Sequence, residues 1–136
     1  MQALYQMDVQ GEAFAPDLDG FLESRAEDPA VIDYARRLVT GAWAEKSRVD
    51  RDMAAAAEHW SVDRMPGVDR NIIRVALYEM RGCAEPPVKV AINEAIEIAK
   101  EFGARESPQF VNGILDAILR RDRESRPATD VQGEPG

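Results

Sequence analysis

The sequence predicts an all-α fold, a compact assembly of about six or seven helices. Three observations carry this. Apolar residues recur three and four apart over most of the chain. No run alternates apolar and polar residues with the β-branched content of a strand. Proline, glycine and short side chains with cap chemistry stand at the joints between apolar stretches, so the connections are short.

The first element covers Met1 to Val9, where Leu4 and Tyr5 stand near Met7 and Val9 in the manner of the second half of an amphipathic helix. Gly11 belongs to the turn that follows, and Pro16 suits the first turn of the next helix, where a missing N–H is harmless. Leu18, Phe21 and Leu22 continue at helical spacing. Asp28-Pro29 is a helix start: an N-cap carboxylate followed by proline at the first helical position. From there Val31, Tyr34, Ala35, Leu38, Val39, Ala42 and Trp43 form one apolar face, which continues through Val49, Met53, Ala56, Ala57 and Trp60. This is either one long helix or two with a bend between Gly41 and Lys46, and the mid-helix Gly41 marks a tight crossing. Ser61 to Gly67 is a connector. Val68, Ile72, Val75 and Ala76 open a strongly apolar helix ending near Arg81-Gly82. After the stiff Glu85-Pro86-Pro87 joint, Val88, Ala91, Ile92, Ala95, Ile96, Ala99 and Phe102 form the face of another helix, with Gly103 at its C-cap. Ser107-Pro108 starts the last helix, whose buried face runs from Phe110 to Leu119.

One domain is expected at 1–120, with a disordered tail at 121–136, where the apolar pattern gives way to mixed charge, proline and glycine. The hydrophobic share of 45% suffices for a core without disulfides or metals. The net charge of −8 argues against non-specific nucleic-acid binding, which needs lysine and arginine on phosphates. It suits a basic partner, or solubility alone. Cys83 is the single cysteine, which excludes an intrachain disulfide and fits a reducing cytoplasm. No basic segment followed by an apolar core marks a signal peptide, and no apolar run approaches the roughly 20 residues that cross a bilayer.

Few motifs carry chemistry. Glu94, Glu97 and Glu101 share one helix, but a di-metal bundle site needs Glu-x-x-His partners, so they read as a solvated acidic face. His59 and Cys83 have no wording that makes them a nucleophile and base. No phosphate-binding glycine loop is present, and neither enzyme activity nor a cofactor is expected. Asn112-Gly113 is less easily placed, since both are weak helix formers. Either Gly113 serves close packing with Asn112 exposed, or it admits a ligand while Asn112 offers hydrogen bonds to RNA or protein. Phe110 and Tyr5 are either core aromatics or platforms for an unpaired base.

Four stretches resemble the NusB family of transcription antitermination factors: Gln2-Ala-Leu-Tyr-Gln; Arg70-Asn-Ile-Ile-Arg-Val-Ala-Leu-Tyr-Glu; Val88-Lys-Val-Ala-Ile-Asn-Glu-Ala-Ile-Glu-Ile-Ala-Lys-Glu-Phe-Gly; and Phe110-Val-Asn-Gly-Ile-Leu-Asp. They come in the family's order and spacing. The resemblance implies two small helical bundles packed together and a non-enzymatic, RNA-binding role. It implies that the chain pairs with NusE, a ribosomal small-subunit protein, on boxA RNA. The RNA polymerase antitermination complex then reads through terminators, especially in ribosomal RNA operons. A homodimer is also compatible with it. Carried over by position, Tyr5, Lys89, Glu106, Phe110, Asn112 and Asp116 are implied for the RNA-facing edge. Asp69, Arg70, Tyr78 and Glu79 are implied for the NusE-facing surface.

One departure stands out. The family carries an Arg-rich segment ahead of the Ala-Leu-Tyr wording, and this sequence begins at Met1, directly before Gln2. Either the start is placed too far downstream, or RNA binding is weakened. The second case leaves an alternative function, a protein-interaction module with little RNA affinity of its own.

Overall fold

The computed structural model describes residues 1–11, 17–57, 65–82 and 87–124. Seven helices and no strand are present among them: α1 (Gln2–Gln10), α2 (Leu18–Arg25), α3 (Pro29–Ala44), α4 (Lys46–Ala56), α5 (Gly67–Gly82), α6 (Val88–Phe102) and α7 (Ser107–Glu124). Pro16, Trp60, the Ser61–Arg64 part of the connector, Cys83 and the Glu85-Pro86 joint lie outside the described residues, as does His59.

Local chemistry sets several of these boundaries. Asp28 caps α3, accepting a hydrogen bond from the Ala30 amide at 2.9 Å, with Pro29 at the first helical position. The expected bend falls at Glu45, between α3 and α4. Backbone hydrogen bonds from Glu45 N–H to the Gly41 carbonyl and from Val49 N–H to the Glu45 carbonyl carry the chain across it. Gly103 is the C-cap of α6, but its backbone is extended rather than left-handed. The need for glycine is steric: a Cβ there would stand 2.6 Å from the Ser107 side chain and 2.8 Å from the Ala99 carbonyl.

Helix α5 is the shared spine of two bundles. On one side it meets α1 and α3, with α2 behind them, around Leu4, Met7, Leu18, Leu22, Val39 and Ala42. On the other it meets α4, α6 and α7 around Met53, Ile72, Ile73, Leu77, Val111, Leu115 and Ile118. In α6 burial concentrates on Ala91, Ala95 and Ala99, because small side chains let that helix approach α5 and α7 closely. Val88 and Phe102, expected on the buried face, remain 42% exposed at its two ends.

Two expectations need correction. The tail does not begin at 121, since α7 continues to Glu124. Its extra turn is held from outside: Arg121 donates to the Ala55 carbonyl at 2.9 Å, and Arg81 pairs with Asp122 at 2.9 Å. The idea that Gly113 packs closely is also overturned. Gly113 is exposed, and a Cβ built on it would meet nothing within 4 Å.

Gly41 behaves as its position in the sequence suggests. A Cβ built there would stand 2.1 Å from Tyr78 Cζ and 2.3 Å from its hydroxyl oxygen, so α3 and α5 cross where one has no side chain. Gly41→Ala is therefore expected to destabilise the protein by about 1–3 kcal/mol, against the usual gain from removing a helical glycine. Urea denaturation of the two proteins measures this, and an unchanged or raised midpoint would contradict the crossing.

Candidate nucleic-acid and partner interface

The Arg70-Asn-Ile-Ile-Arg stretch places Arg70, Asn71 and Arg74 along one side of α5, and all three turn inward. Asp8 of α1 accepts from Arg70 Nε at 3.0 Å, Arg70 Nη2 at 2.7 Å and Asn71 Nδ2 at 3.1 Å. Arg74 Nη1 stands 3.2 Å from the same carboxylate. Arg74 also grips Asp50 of α4 with two nitrogens, at 2.9 and 2.5 Å, and donates to Asn71 Oδ1 at 3.0 Å. One polar network thus ties α1, α5 and α4. Burial alone would push the Asp8 carboxyl up. The hydrogen bonds from Arg70 and Asn71 and the charge of Arg74 hold it below the ordinary carboxylate range instead.

This changes the reading of the four residues implied for a NusE-facing surface, all of which are engaged within the chain. Arg70 serves Asp8. Asp69 is only 3% exposed. Glu79 is 7% exposed and accepts from the Tyr34 hydroxyl at 2.7 Å, joining α5 to α3. Tyr78 is half-buried, its ring filling the space over Gly41. Such side chains set the distance between helices.

Asp69 holds a second junction. Its carboxyl faces the Ser107 hydroxyl, whose oxygen accepts from the Ala104 amide at 2.8 Å, so α5 meets the loop between α6 and α7 here. Oδ1 of Asp69 is buried with no hydrogen-bond partner among the described residues. Burial pushes this carboxyl up, the facing Ser107 hydroxyl opposes the shift, and the nearby Glu106 charge adds to it. The folded state therefore holds this proton more tightly than the unfolded chain. The stability it contributes is present in acid and lost as pH rises from about 4 through the raised pKa. Asp8 runs the other way: its contribution is lost as pH falls. Asp69→Asn mimics the protonated state, so its stability relative to the parent should grow between about pH 4 and neutrality. Urea midpoints at both ends measure it, and a constant difference would show that Asp69 does not titrate in this window.

The residues implied for an RNA-facing edge are more open. Tyr5 is half-buried against the start of α5, where a Cβ on Gly67 would stand 2.7 Å from its ring. With Val68 and Phe102 it lines a groove of about 210 Å³. Glu106 is exposed near Asp69. Phe110 is half-buried and packs against the larger core, so it is neither a free platform nor fully interior. Asn112 and Asp116 lie exposed on the outer face of α7, where Asp116 pairs with Arg120. Lys89 is exposed in the first turn of α6, roughly 20 Å along that helix from the Phe102 end. The fold brings five of the six to α6, α7 and their connecting loop, but spreads them along an edge rather than into a pocket.

Sequence reasoning passed over Asp8, Asp50 and Arg74. The spacing of Arg70, Asn71 and Arg74 was a signal; their acidic partners on α1 and α4 had none. No helix among the described residues is long and apolar enough to cross a membrane.

Comparison with known proteins adds an independent line. The sequence model of the NusB family matches residues 1–120. The transcription antitermination protein NusB of Bdellovibrio bacteriovorus is 45% identical over 123 residues, covering 87% of each chain. The solved structure of T. maritima NusB superposes with a TM-score of 0.73 at 38% identity, covering 88% of this chain and 84% of that one. A chain from the crystal structure of antitermination factors NusB and NusE in complex with double-stranded RNA gives a TM-score of 0.71. It is 24% identical, covers 88% of this chain and 89% of its own, and shows likeness of fold.

Proposed function

The chain belongs to the NusB family, and from that premise we propose that it is a transcription antitermination factor. It binds boxA-type RNA together with NusE and helps RNA polymerase read through terminators, as in ribosomal RNA operons. The family match over residues 1–120 carries this reading. The outer face of α7 supports it, because Asn112 and the Asp116–Arg120 pair stand exposed on the helix that carries the half-buried Phe110. An unpaired RNA strand uses hydrogen-bonding groups and aromatic rings along one edge. The role is binding, not catalysis, and its place is with the transcription machinery in the cytoplasm.

The reading also resolves a tension in the charge. A net charge of −8 is unfavourable for RNA alone, but the same acidity favours a basic protein partner that brings its own phosphate contacts. RNA affinity should therefore be conditional on NusE.

Fluorescence anisotropy tests this with labelled boxA-type RNA and a scrambled control, each titrated with the chain in the presence and absence of NusE. The expected result is tight, salt-sensitive binding of the boxA-type strand only when both proteins are present. Binding of NusE with no preference between the two RNAs would replace the proposal with a protein-interaction module.

A further inference from the structure

Helix α4 starts with charges its dipole does not favour. The N-terminus of a helix is its positive end, where acidic side chains stabilise and basic ones do not. The first turn of α4 holds no acid and two bases, Lys46 and Arg48. Lys46 is accounted for, because its ammonium sits 4.2 Å from the centre of the Trp43 ring. Arg48 is not: it is exposed and pairs with no acid among the described residues.

Arg48 lines a cleft of about 700 Å³, where α4 meets the ends of α5 and α7 and the start of α6. Val49, Met80, Val88 and Leu119 give the cleft an apolar wall, and Tyr78 adds an aromatic ring. Two more arginines line it, Arg81 and Arg123. Arg81 is committed, with Asp52 at 2.6 Å and Asp122 at 2.9 Å. Arg123, like Arg48, is exposed and pairs with no described acid. Against these two guanidiniums stands one unpaired carboxylate of the lining, Glu45. The cleft is thus locally positive on a chain whose net charge is −8. Lys89, which directly follows Val88, adds a further charge at this end of α6.

These groups select a ligand chemistry. A volume of this order belongs to small-molecule sites, which combine an apolar wall with a few placed polar groups. A planar guanidinium matches phosphate with two parallel hydrogen bonds. A multiply charged phosphate chain gains from both arginines and outweighs the repulsion of Glu45. The apolar wall and the Tyr78 ring suit a flat heterocycle. A nucleotide carries both parts. The candidate RNA edge lies elsewhere, since Tyr5 packs at the start of α5, and that helix runs 16 residues, about 24 Å, to the end that lines the cleft.

We propose that this cleft binds a free nucleoside polyphosphate. Arg48 and Arg123 hold its phosphates, and its base rests against the apolar wall. The site does not depend on the antitermination reading.

Isothermal titration calorimetry of the whole chain with ATP and with GTP tests this, with adenosine as a probe that lacks phosphate. At least one of the two nucleotides should bind, and adenosine should give no measurable heat. Arg48→Ala should weaken nucleotide binding about tenfold or more, and Arg48→Ala combined with Arg123→Ala should remove it. Arg51→Ala is the control: it takes the same charge from α4, but Arg51 does not line the cleft, and the variant should bind as the parent does. The melting temperature should stay nearly unchanged in all three, because these exposed arginines pair with no described acid. Absence of nucleotide binding by the parent would overturn the inference. An equal loss in Arg51→Ala would also overturn it, by reducing the site to diffuse charge. Weakened boxA-type RNA binding in Arg48→Ala, with no nucleotide bound by the parent, would replace it with a stretch of RNA path.

Discussion

Arg74→Ala is expected to remove about 3–5 kcal/mol of folding stability, a large part of what a domain of this size has. The side chain is 5% exposed and, among the described residues, is the group that joins Asp8 of α1 to Asp50 of α4. Without it, Asp50 loses a two-pronged partner and Asp8 keeps only Arg70 and Asn71. A partly buried carboxylate is then left without a compensating charge, and that stranded charge is the source of the loss. Chemical denaturation followed by circular dichroism measures it. A double variant, Arg74→Met with Asp50→Leu, should recover part of the loss, because it removes the stranded acid together with the base. If the single variant fell by less than about 1 kcal/mol, the network would be no more than a surface arrangement.

Leu77→Ala should cost about 2–5 kcal/mol for a different reason. Leu77 is fully buried in the larger core, on the helix shared by both bundles. Truncation opens a void in the core that α5 shares with α4, α6 and α7, and the surrounding helices cannot close on it without moving α5 away from α1 and α3. The two bundles should therefore unfold in a single transition in both proteins. Separate transitions in the variant, seen by calorimetry, would show that α5 does not couple them.

These two variants divide what local sequence could reveal from what it could not. Asp28-Pro29 announces the start of α3 because cap and first turn are neighbours in the chain. The break at Glu45 was bracketed by Gly41 and Lys46 for the same reason. The end of α7 was missed by a turn, since Arg121 and Asp122 look like solvated tail until Ala55 and Arg81 arrive from other helices. The resemblance implied a partner-facing surface for Arg70, Asp69 and Glu79, and the structure shows them turned inward. The residues they face, Asp8, Ser107 and Tyr34, lie 62, 38 and 45 positions away, and no local pattern signals such pairs.

The candidate RNA edge shows the same division. The wording around Phe110 and Asn112 marked the stretch, and it named Gly113 without saying which of two opposite roles it plays. Gly41 and Gly113 are the same residue inside helices of similar length. One is covered by an aromatic ring and the other faces open space.

The helical class, most helix boundaries and the family are legible from local residue patterns. Each of these rests on spacing and cap chemistry within a few residues. Packing of the helices settles which charged groups are interior, which glycine is a crossing and which is bare, and that the marked residues form an edge rather than a pocket. Those properties belong to pairs of helices brought together by burial of their apolar faces, and they are set only once the helices meet.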